Sequence, residues 1–133
     1  MQTNYEEYLL TPKSIPFEKM QMLHKEILAE ISGDEDAEEL FEELIECATR
    51  YGQFRANWLL WDRATKMERD SSRTSCHNSL IVKFNMLARY LRMQGKSALW
   101  RDELGYEEDD RYNRKTVGDF ACYLVFVNSI NAR

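Results

Sequence analysis

Helix-breaking residues are scarce in this chain, and most of them stand at the ends of apolar repeats. Proline occurs only at positions 12 and 16, and glycine only at 33, 52, 95, 105 and 118. Gly33, Gly52 and Gly95 each close a stretch whose apolar residues recur every three or four positions, which is the spacing of one face of an α-helix. A chain of 133 residues fits one domain. The pattern predicts an all-α, single-domain, irregular bundle of about five main helices.

The apolar repeats also place the helices along the chain. The first is expected to begin behind Ser14 and Pro16 and to end at Gly33, because a hydroxyl cap and a proline in the first turn favour a helix start. Asp34 or Asp36 is expected to cap the second, which we predict to break at Gly52. Residues 1–14 are predicted to form an N-terminal arm, and residues 15–133 the bundle.

The remaining segments are predicted from the same spacing. A third helix covers 54–69, a turn lies within the polar stretch 70–75, a fourth helix ends near Gly95, and a short helix falls within 96–104. The last segment, 117–127, is predicted to be a buried helix, although Tyr123–Val127 is also rich in strand formers. We expect the third and the last helices to be the most buried.

Composition limits the classes of partner. The formal net charge is −5, so nucleic acid and anionic lipid are disfavoured as partners. The uncharged run from Phe120 to Ala132 is shorter than the roughly 20 apolar residues that a bilayer requires, and no membrane partner is expected. Cys47, Cys76 and Cys122 are odd in number and widely spaced, which favours reduced thiols in a cytoplasmic setting.

The strongest charge feature is an acidic stripe on the predicted second helix. Residues 34–49 hold eight of the 23 acids and none of the 18 Lys and Arg, so this segment carries −8 and the rest of the chain +3. Six of the acids recur at steps of three and one, which places them on one helix face opposite the apolar face: Glu35, Glu38, Glu39, Glu42, Glu43 and Glu46.

Such a stripe has two interpretations. It is a solvated face relieved by the basic stretch from Arg50 to Arg73, or it is a binding surface for a basic protein partner. The function that follows is a non-enzymatic protein-interaction or regulatory module. A homodimer is compatible with a helical chain of this size, but it would have to use another face, because a two-fold axis on the stripe would bring like charges together.

An enzymatic alternative depends on Arg73 and His77. At i and i+4 they would stand on one side of a helix, where a cation can lower the pKa of an imidazole and hold a phosphate. The pair is similar to the Arg-x4-6-His signature of the HEPN ribonucleases, which are helical bundles, although here only three residues intervene. The resemblance implies a small helical nuclease or phosphate-handling enzyme.

The sequence contains no motif for metal binding or for phosphate binding by glycine-rich loops. The positions three before His24 and His77 are Gln21 and Thr74, so the Glu-x-x-His element of a di-iron bundle is missing. The acids at 107–110 lack the spacing and central glycine of an EF-hand loop. Phosphate-binding glycine motifs are absent. We therefore expect no metal and no cofactor.

Overall fold

Four long helices and one short helix follow one another in the computed structural model, which describes residues 15–58, 60–104 and 110–131, with side chains at 116–128 in the last range. They are α1 (Phe17–Ile31), α2 (Glu35–Trp58), α3 (Arg63–Met93), α4 (Leu99–Glu103) and α5 (Asp110–Asn131). Within these ranges no strand is present, and the helices form one all-α domain. The predicted arm at 1–14 lies outside the described residues.

The core forms where the apolar faces of the helices converge. Met20, Leu23 and Ile27 of α1 are fully buried, and α2 packs against both α3 and α5. Every α5 side chain from Val117 to Val125 is buried. A helix surrounded in this way is the central element of a bundle, which confirms the prediction that the last segment is a buried helix.

Three helix ends lie where the sequence predicts them. Gly33 and Gly95, each two residues past the end of α1 and α3, adopt positive φ of 82° and 85°, a conformation that favours glycine. Asp34 caps α2, since its Oδ1 accepts from the backbone N–H groups of Asp36 and Ala37 at 3.1 Å. The cap of α1 differs from the expectation, because the capping position is Pro16 and carries no side-chain hydrogen bond.

Two predicted boundaries are wrong. The second helix does not break at Gly52 but continues to Trp58, because Gly52 is buried in the bundle and packing outweighs its intrinsic cost of about 1 kcal/mol. The polar stretch 70–75 contains no turn, since α3 runs through it without interruption. The chain reverses earlier, before Asp62, whose Oδ1 accepts from the Thr65 N–H at 2.8 Å.

The expected burial of the third helix is also wrong. The segment 54–69 is split between the end of α2 and the start of α3, and Leu60 and Met67 are mostly exposed. These residues close the α2–α3 hairpin at one end of the molecule, where few elements can cover them.

The short helix α4 is held by polar contacts from two long helices. The Glu30 carboxylate of α1 accepts from the Ala98 backbone N–H at 3.1 Å and from Trp100 Nε1 at 2.8 Å. Arg92 of α3 donates to the Ala98 carbonyl and to Asp102, each at 3.1 Å. Ala98 itself has a φ of 48°, a costly value for a residue with a side chain, and these contacts compensate for it.

Candidate interaction surface

The six predicted glutamates lie on one side of α2, and we call them the acidic ridge: Glu35, Glu38, Glu39, Glu42, Glu43 and Glu46. All are exposed except Glu43, which is half-buried. The opposite side of the same helix is buried through Ala37, Leu44 and Ala48. The spacing in the sequence therefore corresponds to a real surface, about three turns long at 3.6 residues per turn.

The ridge runs beside the C-terminal half of α3. Lys83 Nζ donates to Glu43 Oε1 at 2.9 Å. One residue before the ridge begins, the Tyr90 hydroxyl donates to the Asp34 carboxylate at 2.9 Å. These two contacts are consistent with an antiparallel α2–α3 hairpin, and Lys83 places a cation at one edge of the ridge.

Three of the basic residues expected to relieve the ridge are engaged at the other end of the hairpin. Arg55 pairs with the fully buried carboxylate of Asp119 on α5. The guanidinium of Arg69 lies 5.6 Å from the Trp61 ring centroid, and that of Arg73 lies 4.5 Å from the Trp58 ring centroid. Cations over indole rings gain about 0.5–2 kcal/mol. Charge is therefore distributed unevenly along the hairpin, with acidic residues at one end and basic and aromatic residues at the other.

The aromatic rings at the basic end form a small cluster. Phe54 and Trp58 both meet Trp61 edge-on, with ring centroids 5.7 and 6.2 Å apart. The two tryptophans are half-buried. Trp100, by contrast, is fully buried, and the neighbouring Arg101 is also buried with its Nε donating to Asn85 at 2.7 Å. The aromatic and arginine residues near position 100 thus belong to the core.

Arg73 and His77 occupy successive turns of α3 but have different environments. Arg73 is about half exposed, with its guanidinium over Trp58 and 3.5 Å from Asp70. His77 is buried, and its ring meets the Tyr51 ring edge-on at 5.2 Å. Burial also raises the pKa of Tyr51. The imidazole is thus packed beneath the surface on which the arginine lies.

Two thiols share a groove between α2 and α3. Cys47 and Cys76 line a space of about 460 Å³ together with Arg50, Phe54 and several serines. Burial raises the pKa of both thiols, and for Cys76 the neighbouring Cys47 raises the pKa further. Both thiols are therefore protonated at neutral pH and weak nucleophiles. All three cysteines lie within the described ranges, and each is a free thiol.

Among the residues whose side chains are described, no three His, Cys, Asp or Glu side chains converge on a metal site. The acidic cluster at 107–110 lies outside these residues. Among the described helices, none combines the length and apolar character of a bilayer crossing.

Comparison of the chain with protein-family models, curated proteins and solved structures found no match.

Sequence reasoning missed one surface, the side of α3 that faces away from the core. Val82, Met86 and Met93 are exposed there, at steps of four and seven. The prediction of this helix rested only on the buried repeat through Leu80, Phe84 and the later leucines. A second apolar repeat on the opposite side of the same helix was the signal that could have revealed it.

Proposed function

We propose that this chain is a non-enzymatic protein-interaction or regulatory module whose acidic ridge binds a basic surface of a protein partner. The observation that carries the proposal is the placement of charge. Five of the six ridge glutamates are exposed, while Arg55, Arg69 and Arg73 contact Asp119 and the tryptophans instead of the ridge. The like charges on the ridge remain close together, and a basic partner relieves their repulsion.

The buried state of His77 favours this proposal over the nuclease alternative. A general base must reach the proton that it abstracts through a direct hydrogen bond or one water. The His77 ring is instead packed against Tyr51. No observation on the described residues favours a second function.

The test compares two variants of equal charge. Glu38→Gln with Glu42→Gln removes two ridge carboxylates, and Glu18→Gln with Glu68→Gln removes two exposed carboxylates elsewhere. A fluorescent peptide of consecutive lysines serves as the probe, and its dissociation constant is measured by anisotropy at low and high salt. Removing two ridge charges is expected to weaken binding roughly three- to tenfold at low salt, and high salt should remove the difference.

The control pair separates a ridge from a general charge effect. We expect the Glu18→Gln, Glu68→Gln variant to bind the peptide nearly as the parent protein does. Equal weakening in both variants would show that net charge alone attracts the peptide, and the ridge would lose its assigned role. Circular dichroism of both variants confirms that the helices are intact.

A further inference from the structure

The acidic ridge already binds one ammonium group, that of a lysine in the same chain. Lys83 Nζ lies 2.9 Å from Glu43 Oε1, and the two side chains are 29% and 40% exposed. Among the residues that the structure describes, this is the only ion pair made by a ridge glutamate. The ridge thus has an internal ligand of the same chemistry as the basic partner proposed for it.

Glu43 is the ridge position where a cation gains most. The other five glutamates are exposed, whereas Glu43 is half-buried between α2 and α3. Attraction between opposite charges is stronger where less water surrounds them. Glu39 and Glu46 lie one turn to either side of Glu43 on the same helix, and their negative charges add to the attraction. The cation of a partner therefore finds its most favourable position where the Lys83 ammonium lies.

Lys83 can leave this position without any change in the fold. Its charge is carried on a flexible stem of four carbons, so rotation within the side chain is enough to separate it from Glu43. The backbone of α3 stays in place on either side, because Leu80, Phe84 and Leu87 are fully buried. Partly exposed ion pairs are weak, and the paired and open states of Lys83 are therefore close in free energy.

From these observations we propose that Lys83 is an intramolecular competitor for the acidic ridge. Its ammonium pairs with Glu43 in the free protein and is displaced when the cation of a basic partner binds there. The inference rests on the proposed function, because it concerns regulation of the same surface. Such a pair is favoured over its open state by a factor of roughly 1.4 to 5. Removing the competitor should therefore strengthen partner binding roughly two- to sixfold.

The first experiment compares two variants that each lose one positive charge. Lys83→Met removes the ammonium and keeps a long side chain, and Arg63→Met makes the same charge change at an exposed position at the other end of the hairpin. The dissociation constant of the fluorescent lysine peptide is measured by anisotropy. We expect Lys83→Met to bind roughly two- to sixfold more tightly than the parent protein at low salt, and Arg63→Met nearly as the parent does. Unchanged or weaker binding by Lys83→Met, or equal tightening in both variants, would overturn the inference.

The second experiment asks whether the effect passes through Glu43. In a protein that carries Glu43→Gln, the ammonium has lost its carboxylate, so adding Lys83→Met is expected to give no further tightening. Lys83→Arg keeps a cation at this position and should bind the peptide more weakly than Lys83→Met. Tightening of the same size with and without Glu43 would assign the effect to net charge and refute the competitor. Circular dichroism and urea unfolding check that each variant is folded; a merely structural lysine would lower stability without raising affinity.

The failure of this inference can be told apart from the failure of the proposed function. The Glu38→Gln, Glu42→Gln variant and its control pair test the ridge itself. If only the ridge variant binds the peptide more weakly and Lys83→Met binds it as the parent does, the ridge keeps its function and Lys83 is not a competitor. If both glutamate pairs weaken binding equally, the proposed function fails and this inference fails with it.

Discussion

Gly118 lies where α5 closely approaches Tyr51 of α2, and replacing it by alanine tests the packing of the central helix. A Cβ atom built at this position lies 2.5 Å from the Tyr51 hydroxyl oxygen and 3.1–3.2 Å from two ring carbons. Contacts below 3.0 Å require a neighbour to move. Tyr51 is buried and has the His77 ring against it at 5.2 Å, so its ring has little room to shift.

The expected change combines two opposing effects. Alanine gains about 1 kcal/mol over glycine within a helix, whereas overpacking in a core costs about 1–3 kcal/mol. Because the added methyl group approaches three atoms of the confined Tyr51 side chain, we take the upper part of the range for the overpacking cost. Gly118→Ala should therefore lower the free energy of unfolding by about 2 kcal/mol and the melting temperature by roughly 8 °C. Urea unfolding followed by circular dichroism measures the first quantity.

A double variant identifies the cause. Tyr51→Phe removes the nearest atom, and the remaining ring carbons at 3.1–3.2 Å need only a small adjustment. The variant carrying both Gly118→Ala and Tyr51→Phe is expected to be about 1 kcal/mol more stable than the sum of the two single changes implies. If Gly118→Ala instead stabilises the protein by the full helix-propensity gain, α2 and α5 are not in close contact and the described packing is incorrect.

Three further predictions concern polar groups. Burial lowers the pKa of His24 below 6.5, so its contribution to stability is present above about pH 6.5 and is lost as the pH falls. Urea titrations at several pH values should show that the stability of His24→Phe depends less on acid than that of the parent protein, and an unchanged dependence would contradict this. Asp34→Ala removes a helix cap and the acceptor of a tyrosine hydroxyl and should lower the free energy of unfolding by about 2 kcal/mol. Asp62→Ala removes only a cap and should lower it by about 1 kcal/mol. Equal losses of stability on thermal unfolding would refute the difference. Asp119→Ala leaves the Arg55 guanidinium without its carboxylate and should lower the free energy of unfolding by about 3 kcal/mol. Replacing both residues by leucine should lower it less. If Asp119→Ala leaves the stability unchanged in the same assay, the pair is not structural.

The fold class could be predicted because apolar spacing reports directly on helix faces. The same signal misplaced the α2–α3 turn. Apolar residues such as Trp58 and Leu60 resemble a helix interior in sequence, yet they surround the turn and are covered by cations or left exposed. The polar stretch 70–75 resembles a turn, yet serine and arginine cost a helix only a few tenths of a kcal/mol each. Without glycine or proline, nothing in that stretch ends the helix.

The acidic ridge could be predicted as a surface, because the one-and-three spacing of glutamates defines a face without reference to other elements. Its electrostatic surroundings could not. Lys83, which contacts Glu43, is 40 residues away in sequence. Arg55, Arg69 and Arg73 are instead turned toward Asp119 and the tryptophans. Which cation meets which acid depends on the register of two helices, and that register is set by packing across the whole bundle.

The great length of α3 has a consequence for how the molecule unfolds. None of its side chains from Arg63 to Ser75 is buried, whereas buried positions recur from His77 onward. The first three turns therefore depend on the Asp62 cap, on cation–indole contacts and on the backbone ladder, while the rest is part of the core. Opening of those turns requires much less free energy than global unfolding, so one continuous helix contains a segment that frays by itself and a segment that melts only with the domain.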